Sequence, residues 1–182
     1  MSRARRAARW LILAVVVSWA TAASAANPSK TLSVGSASVA LDWSPDWQVD
    51  PDTAALPAES TAFKTANATK MRTLLSTGPM RPEISTDEGM RAVASNMAVE
   101  LESQSVEKKI EVQRVASEHA HGYYVCATDR APKPGEYKYM CQGLLSVDGT
   151  PIVFTVLYND PGKADAAKVM AAMKTLQIST KT

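Results

Sequence analysis

Two histidines, two cysteines and a close pair of tryptophans stand where their types and spacing could carry chemistry in this 182-residue chain. His119 and His121 are separated by one residue. On a strand such residues face the same way, so two imidazoles could grip a metal. A site needs a third ligand, and the neighbouring Glu118 would fall on the opposite face, so the plainer reading is two exposed histidines at a strand end. Cys126 and Cys141 form no C-x-x-C motif and open no helix that would lower a thiol pKa, which points to a structural disulfide rather than a redox centre. Trp43 and Trp47 flank Pro45 in a turn. They could stack a ligand, or they could close one end of a core, and the core reading is preferred. Met90 and Met97 are soft donors, but they fall on an apolar helical stripe that explains them without a metal.

No nucleophile elbow, phosphate loop, dinucleotide fingerprint or H-E-x-x-H motif occurs in the chain. Acidic residues fall in helix caps and turns rather than in apolar pairs that would tune a general acid. The formal charge is +2, but four of the 20 basic residues are Arg3, Arg5, Arg6 and Arg9. Without them 16 basic residues face 18 acidic ones, a balance of −2 with no basic stripe, which argues against a nucleic-acid partner.

Residues 1–25 have the three parts of a secretory signal: a basic head, an apolar run over residues 10–20, and Ala23-Ser24-Ala25 as a cleavage site. The run is short for a membrane span, so cleavage after Ala25 is expected, with an uncleaved anchor as the alternative. No cysteine follows the run to carry a lipid anchor, and twin-arginine export through Arg5-Arg6 is disfavoured by the alanines after the pair. Export, to the periplasm or outside the cell, places both cysteines in an oxidising compartment.

The elements that must position these residues follow from local pattern. Residues 26–30 are expected as a tether, 31–178 as one domain and 179–182 as a frayed tail. Residues 31–42 alternate small polar and apolar side chains, an edge strand broken at Gly35. Residues 49–57 hold two prolines after Asp50 and Leu56 and read as a surface loop. Residues 61–66 and 69–77 read as strands joined at Asn67-Ala68. Ser85 and Glu88 form a capping box that opens a helix, with Met90, Val93, Ala94, Met97 and Leu101 as its stripe and an end near Ser103. Residues 110–115 alternate as a further strand. Asp160-Pro161 starts a second helix, with Ala166, Val169, Met170, Met173 and Leu176 inward and residues 177–182 fraying.

Between the helices, residues 122–159 hold both cysteines and all 5 tyrosines and read as a three-stranded meander. Around a turn at 131–135, one register places Cys126 opposite Cys141, Tyr124 opposite Gly143 and Asp129 opposite Lys138. It yields a disulfide, an ion pair and an aromatic cover for a bare glycine together. Opposed residues lie about 4.5–5.5 Å apart, within disulfide reach. Asp148-Gly149 then sets a two-residue turn that pairs Leu145 with Ile152 and Tyr139 with Tyr158. Residues 152–158 are apolar on both faces and so require cover on both sides.

The order of strand pairs, helix, long meander and last helix resembles the PsbP-like α/β/α sandwich, which includes DcrB-type exported proteins. The likeness rests on VALDWSPDWQV, on FKTANATKMRTLL and on YKYMCQGLLSVDGTPIVFTVLYND. It implies an α+β fold, an antiparallel sheet covered by helices, and binding or assembly roles rather than catalysis. The expected function is a non-enzymatic exported domain that binds an unknown protein partner in the cell envelope, needs no cofactor and keeps no membrane span once the signal is removed. Its expected contact surface is the hairpin tip with Arg130, Lys133, Tyr137 and Tyr139, since Tyr and Arg anchor interfaces. The alternatives are a small-molecule carrier with its pocket at Trp43 and Trp47, and a hydrolase or metal enzyme at His119 and His121.

Overall fold

The computed structural model describes residues 28–179 apart from 53–55, 68, 80 and 82–83. The proposed signal segment, the Ala68 end of one turn and residues 180–182 lie outside the described residues. Two turns fix the register of the central meander. Gly135 adopts φ +90° in the first. Asp148 and Gly149 take φ +46° and +80° in the second, the left-handed pair that a two-residue hairpin loop requires. Strand β7 (Ala120–Thr128) pairs with β8 (Tyr139–Val147), and β8 with β9 (Thr150–Tyr158), all antiparallel. Cys126 faces Cys141, Tyr124 faces Gly143, Leu145 faces Ile152 and Tyr139 faces Tyr158, as the turn chemistry predicts. The Asp129–Lys138 ion pair does not form. Asp129 Oδ1 accepts a hydrogen bond from Ala131 N, and Lys138 Nζ reaches Asp160 Oδ2 at 3.7 Å.

Before the meander lie β3 (Trp47–Val49), β4 (Ser60–Thr65), β5 (Met71–Thr77) and helix α1 (Asp87–Glu102), then β6 (Gln113–Ala116). They complete a seven-stranded antiparallel sheet in the order β3-β4-β5-β9-β8-β7-β6. The fold is α+β. Helix α1 starts one residue later than the capping box predicts. Its N-cap is Thr86, whose Oγ1 accepts from Gly89 N at 3.0 Å, and Asp87 and Glu88 occupy the first turn, where the helix dipole favours acids.

Residues 31–42 are not one edge strand. Gly35 at φ +55° folds them into a hairpin of β1 (Ser29–Val34) and β2 (Ala37–Asp42), and β1 takes in part of the expected tether. Residues 177–178 do not fray: they form β10 (Gln177–Ile178), which pairs with Val39 and Ala40 and makes a second, three-stranded sheet. The last helix also starts late. A 3-10 turn (Asp160–Gly162) precedes α2 (Lys163–Ala172), and at position 162 the chain passes so close to Lys70 O that only a glycine fits.

One face of the large sheet carries Phe63, Met71, Leu75, Phe154 and Val156, all fully buried under α2 and the small sheet. The other face carries Tyr123, Val125, Ala127 and Leu144, and α1 covers these with Met90, Ala94 and Ala98. Burying a side chain of this size contributes about 1.5–3 kcal/mol each. Helix α1 lies mainly over β7 and, less, over β8, and Val153 of β9 packs at its edge. The β5–β4 part of that face carries no helix among the described residues.

Candidate functional site

The end of α1 and the β7–β8 connection enclose a cleft of about 450 Å³ against this second face. Ala127, Met140 and Leu157 are direct cross-strand neighbours and form its floor. Leu101 at the end of α1 lines one side, and Tyr137, half-buried, lines another. The volume lies in the range of small-molecule sites, about 300–1,000 Å³. The connection is held in place by its own polar groups. Arg130 donates from Nη2 and Nε to Ser105 O, at 2.7 and 3.2 Å. Lys138 N donates to Asn159 Oδ1 at 2.9 Å, and Glu136 Oε2 accepts from Lys133 N at 2.9 Å. Nearby, Glu107 accepts from Thr128 N and Oγ1 at 2.9 and 2.6 Å. Burial opposes its ionisation, but these hydrogen bonds outweigh burial and hold its carboxyl below the usual range.

The same row of the sheet continues past Leu157, outside the cleft lining. Leu157 pairs with Arg72 on β5, and Arg72 with Lys64 on β4. Both cations hold Asp50, which is only 3% exposed: Lys64 Nζ lies 2.8 Å from Oδ1 and Arg72 Nε 2.8 Å from Oδ2. Burial of Asp50 favours its neutral form, yet the Lys64 and Asp52 hydrogen bonds and the Arg72 charge prevail, so its carboxyl titrates below the ordinary value. The charges of Arg72, Asp50 and Lys64 also act on Tyr137, whose hydroxyl burial pushes up.

The residues singled out by sequence divide between frame and surface. Cys126 and Cys141 are bonded, with S–S 2.02 Å and Cα–Cα 4.0 Å, and they edge a second cleft of about 390 Å³ on the opposite face with Tyr124, Tyr139 and Tyr158. Tyr139 stacks on Tyr158 at 5.1 Å and donates to Asp160 Oδ1 at 2.7 Å. Arg130 is exposed but tied to Ser105 O, Tyr139 is tied to Tyr158 and Asp160, and Lys133 is 82% exposed. Trp43 and Trp47 are over nine-tenths buried, 5.6 Å apart edge to face, and both pack on Phe63 at 5.2 Å. They belong to the core, which corrects the stacking-platform alternative, since a platform needs an open ring face. A cleft of about 420 Å³ with a mixed polar and apolar lining does pass Trp47, between Asp42, Ser44, Ala171 and Thr175.

His119 lies in the bend before β7, not on the strand, and its Nδ1 is 3.0 Å from Asp148 Oδ1. That bond raises its pKa. His121 is exposed on β7 opposite Ser146. The two therefore do not share a strand face, and among the described residues no three His, Cys, Asp or Glu side chains gather where they could hold a metal.

The Lys64–Asp50–Arg72 cluster escaped sequence reasoning, which placed Asp50 in a surface loop. One signal was present: the Asn67 turn brings Lys64 opposite Arg72, and two cations facing each other across strands require an acid between them. Among the described residues no helix is long and apolar enough to cross a membrane.

No family model matches the chain, and no curated protein matches it. A solved structure from Bacteroides thetaiotaomicron VPI-5482 is similar at a TM-score of 0.40 and 13% identity over 79% of this chain, which spans 46% of that one. A likeness at that level carries no argument about fold or function.

Proposed function

We propose that this protein is an exported, non-enzymatic binding domain of the PsbP-like α/β/α type, whose cleft between α1 and the β7–β8 connection takes the apolar part of a small ligand. The observation that carries the reading is the 450 Å³ cleft itself, floored by Ala127, Met140 and Leu157 and walled by Leu101 and Tyr137. The disulfide supports export, because such bonds persist outside the reducing cytosol. A protein partner in an envelope assembly is the second reading, favoured by the exposed Lys133 at the tip.

Titration with the neutral fluorophore N-phenyl-1-naphthylamine tests the cleft. Saturable uptake is expected, weakened about tenfold by Met140→Trp, which fills the floor, a loss of about 1.4 kcal/mol. An unchanged unfolding midpoint in that variant separates filling from misfolding. No saturable uptake, or equal uptake by the folded variant, contradicts the proposal.

A further inference from the structure

The row Ala127–Met140–Leu157–Arg72–Lys64 crosses five neighbouring strands on one sheet face and changes from apolar to cationic after its third member. Adjacent strands lie about 4.8 Å apart, so Ala127 and Arg72 are separated by about 14 Å, which an extended chain of about ten carbons spans. Lys64 and Arg72 side chains are 24% and 26% exposed, so each keeps an accessible part. Between them they hold one carboxylate, that of Asp50, and the trio retains one positive charge. Arg72 Nη2 also donates to Asp52, but to its backbone oxygen, at 3.2 Å.

The other charged groups at the cleft lie on the β7–β8 connection. Asp129 accepts from Ala131 N, Glu136 accepts from Lys133 N with Lys133 Nζ at 4.0 Å, and Lys138 Nζ turns to Asp160. The trio's one net positive charge and the apolar floor meet at Leu157.

We infer that the cleft binds an amphiphile with one anionic head group, its chain over Ala127, Met140 and Leu157 and its head against Arg72 and Lys64. This rests on the cleft being the ligand site. Arginine offers a planar fork to a carboxylate or phosphate, and lysine adds a point charge, so a charged head gains where a neutral one does not.

The test displaces N-phenyl-1-naphthylamine from the unaltered protein with decanoate, decanol and decylammonium at low ionic strength. Decanoate is expected to displace it at a concentration at least tenfold below decanol, with decylammonium weakest. Lys64→Met, which leaves Arg72 on Asp50, is expected to narrow the decanoate–decanol gap at least threefold with decanol unchanged. Displacement by decanol as effective as by decanoate overturns the anionic head while leaving the cleft as the site. Failure of the protein to take up the probe at all overturns both readings.

Discussion

Asp50 shows how a single residue can be both frame and boundary of a site. It is buried, yet it stays ionised because Lys64 and Arg72 lie on either side of it. Removing one member of a buried pair leaves an uncompensated charge and costs about 3–5 kcal/mol; the partial exposure of both cations reduces this to about 2 kcal/mol. Asp50→Asn is therefore expected to lower the urea unfolding free energy by about 2 kcal/mol near neutral pH. The pH dependence follows from the direction of the shift. A carboxyl held below its ordinary value of 3.8 adds stability that is present above that value and is lost as pH falls through the folded-state value. The difference between the protein and Asp50→Asn should thus shrink on acidification below about pH 4, measured by urea midpoints across that range. Only the opposition of Lys64 and Arg72 across the Asn67 turn was legible in the sequence; Asp50 stands in a proline-flanked stretch, and its burial depends on a hairpin partner seen only after folding. His119 was misplaced for a similar reason: strand β7 begins one residue too late to include it.

Among the elements, the β7–β8–β9 meander was legible almost pair by pair, because both turns and the cysteine pair specify one register independently. The N-terminal hairpin was not, because Gly35 sits among small polar residues that continue the alternation on both sides of the turn. Strand β10 has two residues and no period of its own, so only its partner β2 reveals it. Within the meander the disulfide closes a loop whose ends are 15 residues apart, which contributes about 3 kcal/mol by chain entropy and less where the hairpin persists in the unfolded chain. Replacing Cys126 and Cys141 together by alanine is expected to cost about 2 kcal/mol with the fold retained, read by chemical unfolding beside the native protein with and without dithiothreitol. The tight packing of Tyr124 and Phe154 over Gly143 keeps the register in place without the bond.

For the whole molecule, what matters is unequal cover. One sheet face lies under α2 and the three-stranded sheet, and the tryptophans help to fill that core. The other lies under α1 mainly over β7 and β8, and the cleft opens at the end of that helix. Sequence reasoning foresaw that residues 152–158 need cover on both faces, but not that the cover stops short at Leu157. The proposed ligand site lies there, not beside Trp47. Amide hydrogen exchange of the protein, free and saturated with N-phenyl-1-naphthylamine, tests this most directly. Slower exchange is predicted at Tyr137, Met140 and Leu157, with Trp43 and Trp47 unchanged; protection at the tryptophans with none at the cleft would contradict it.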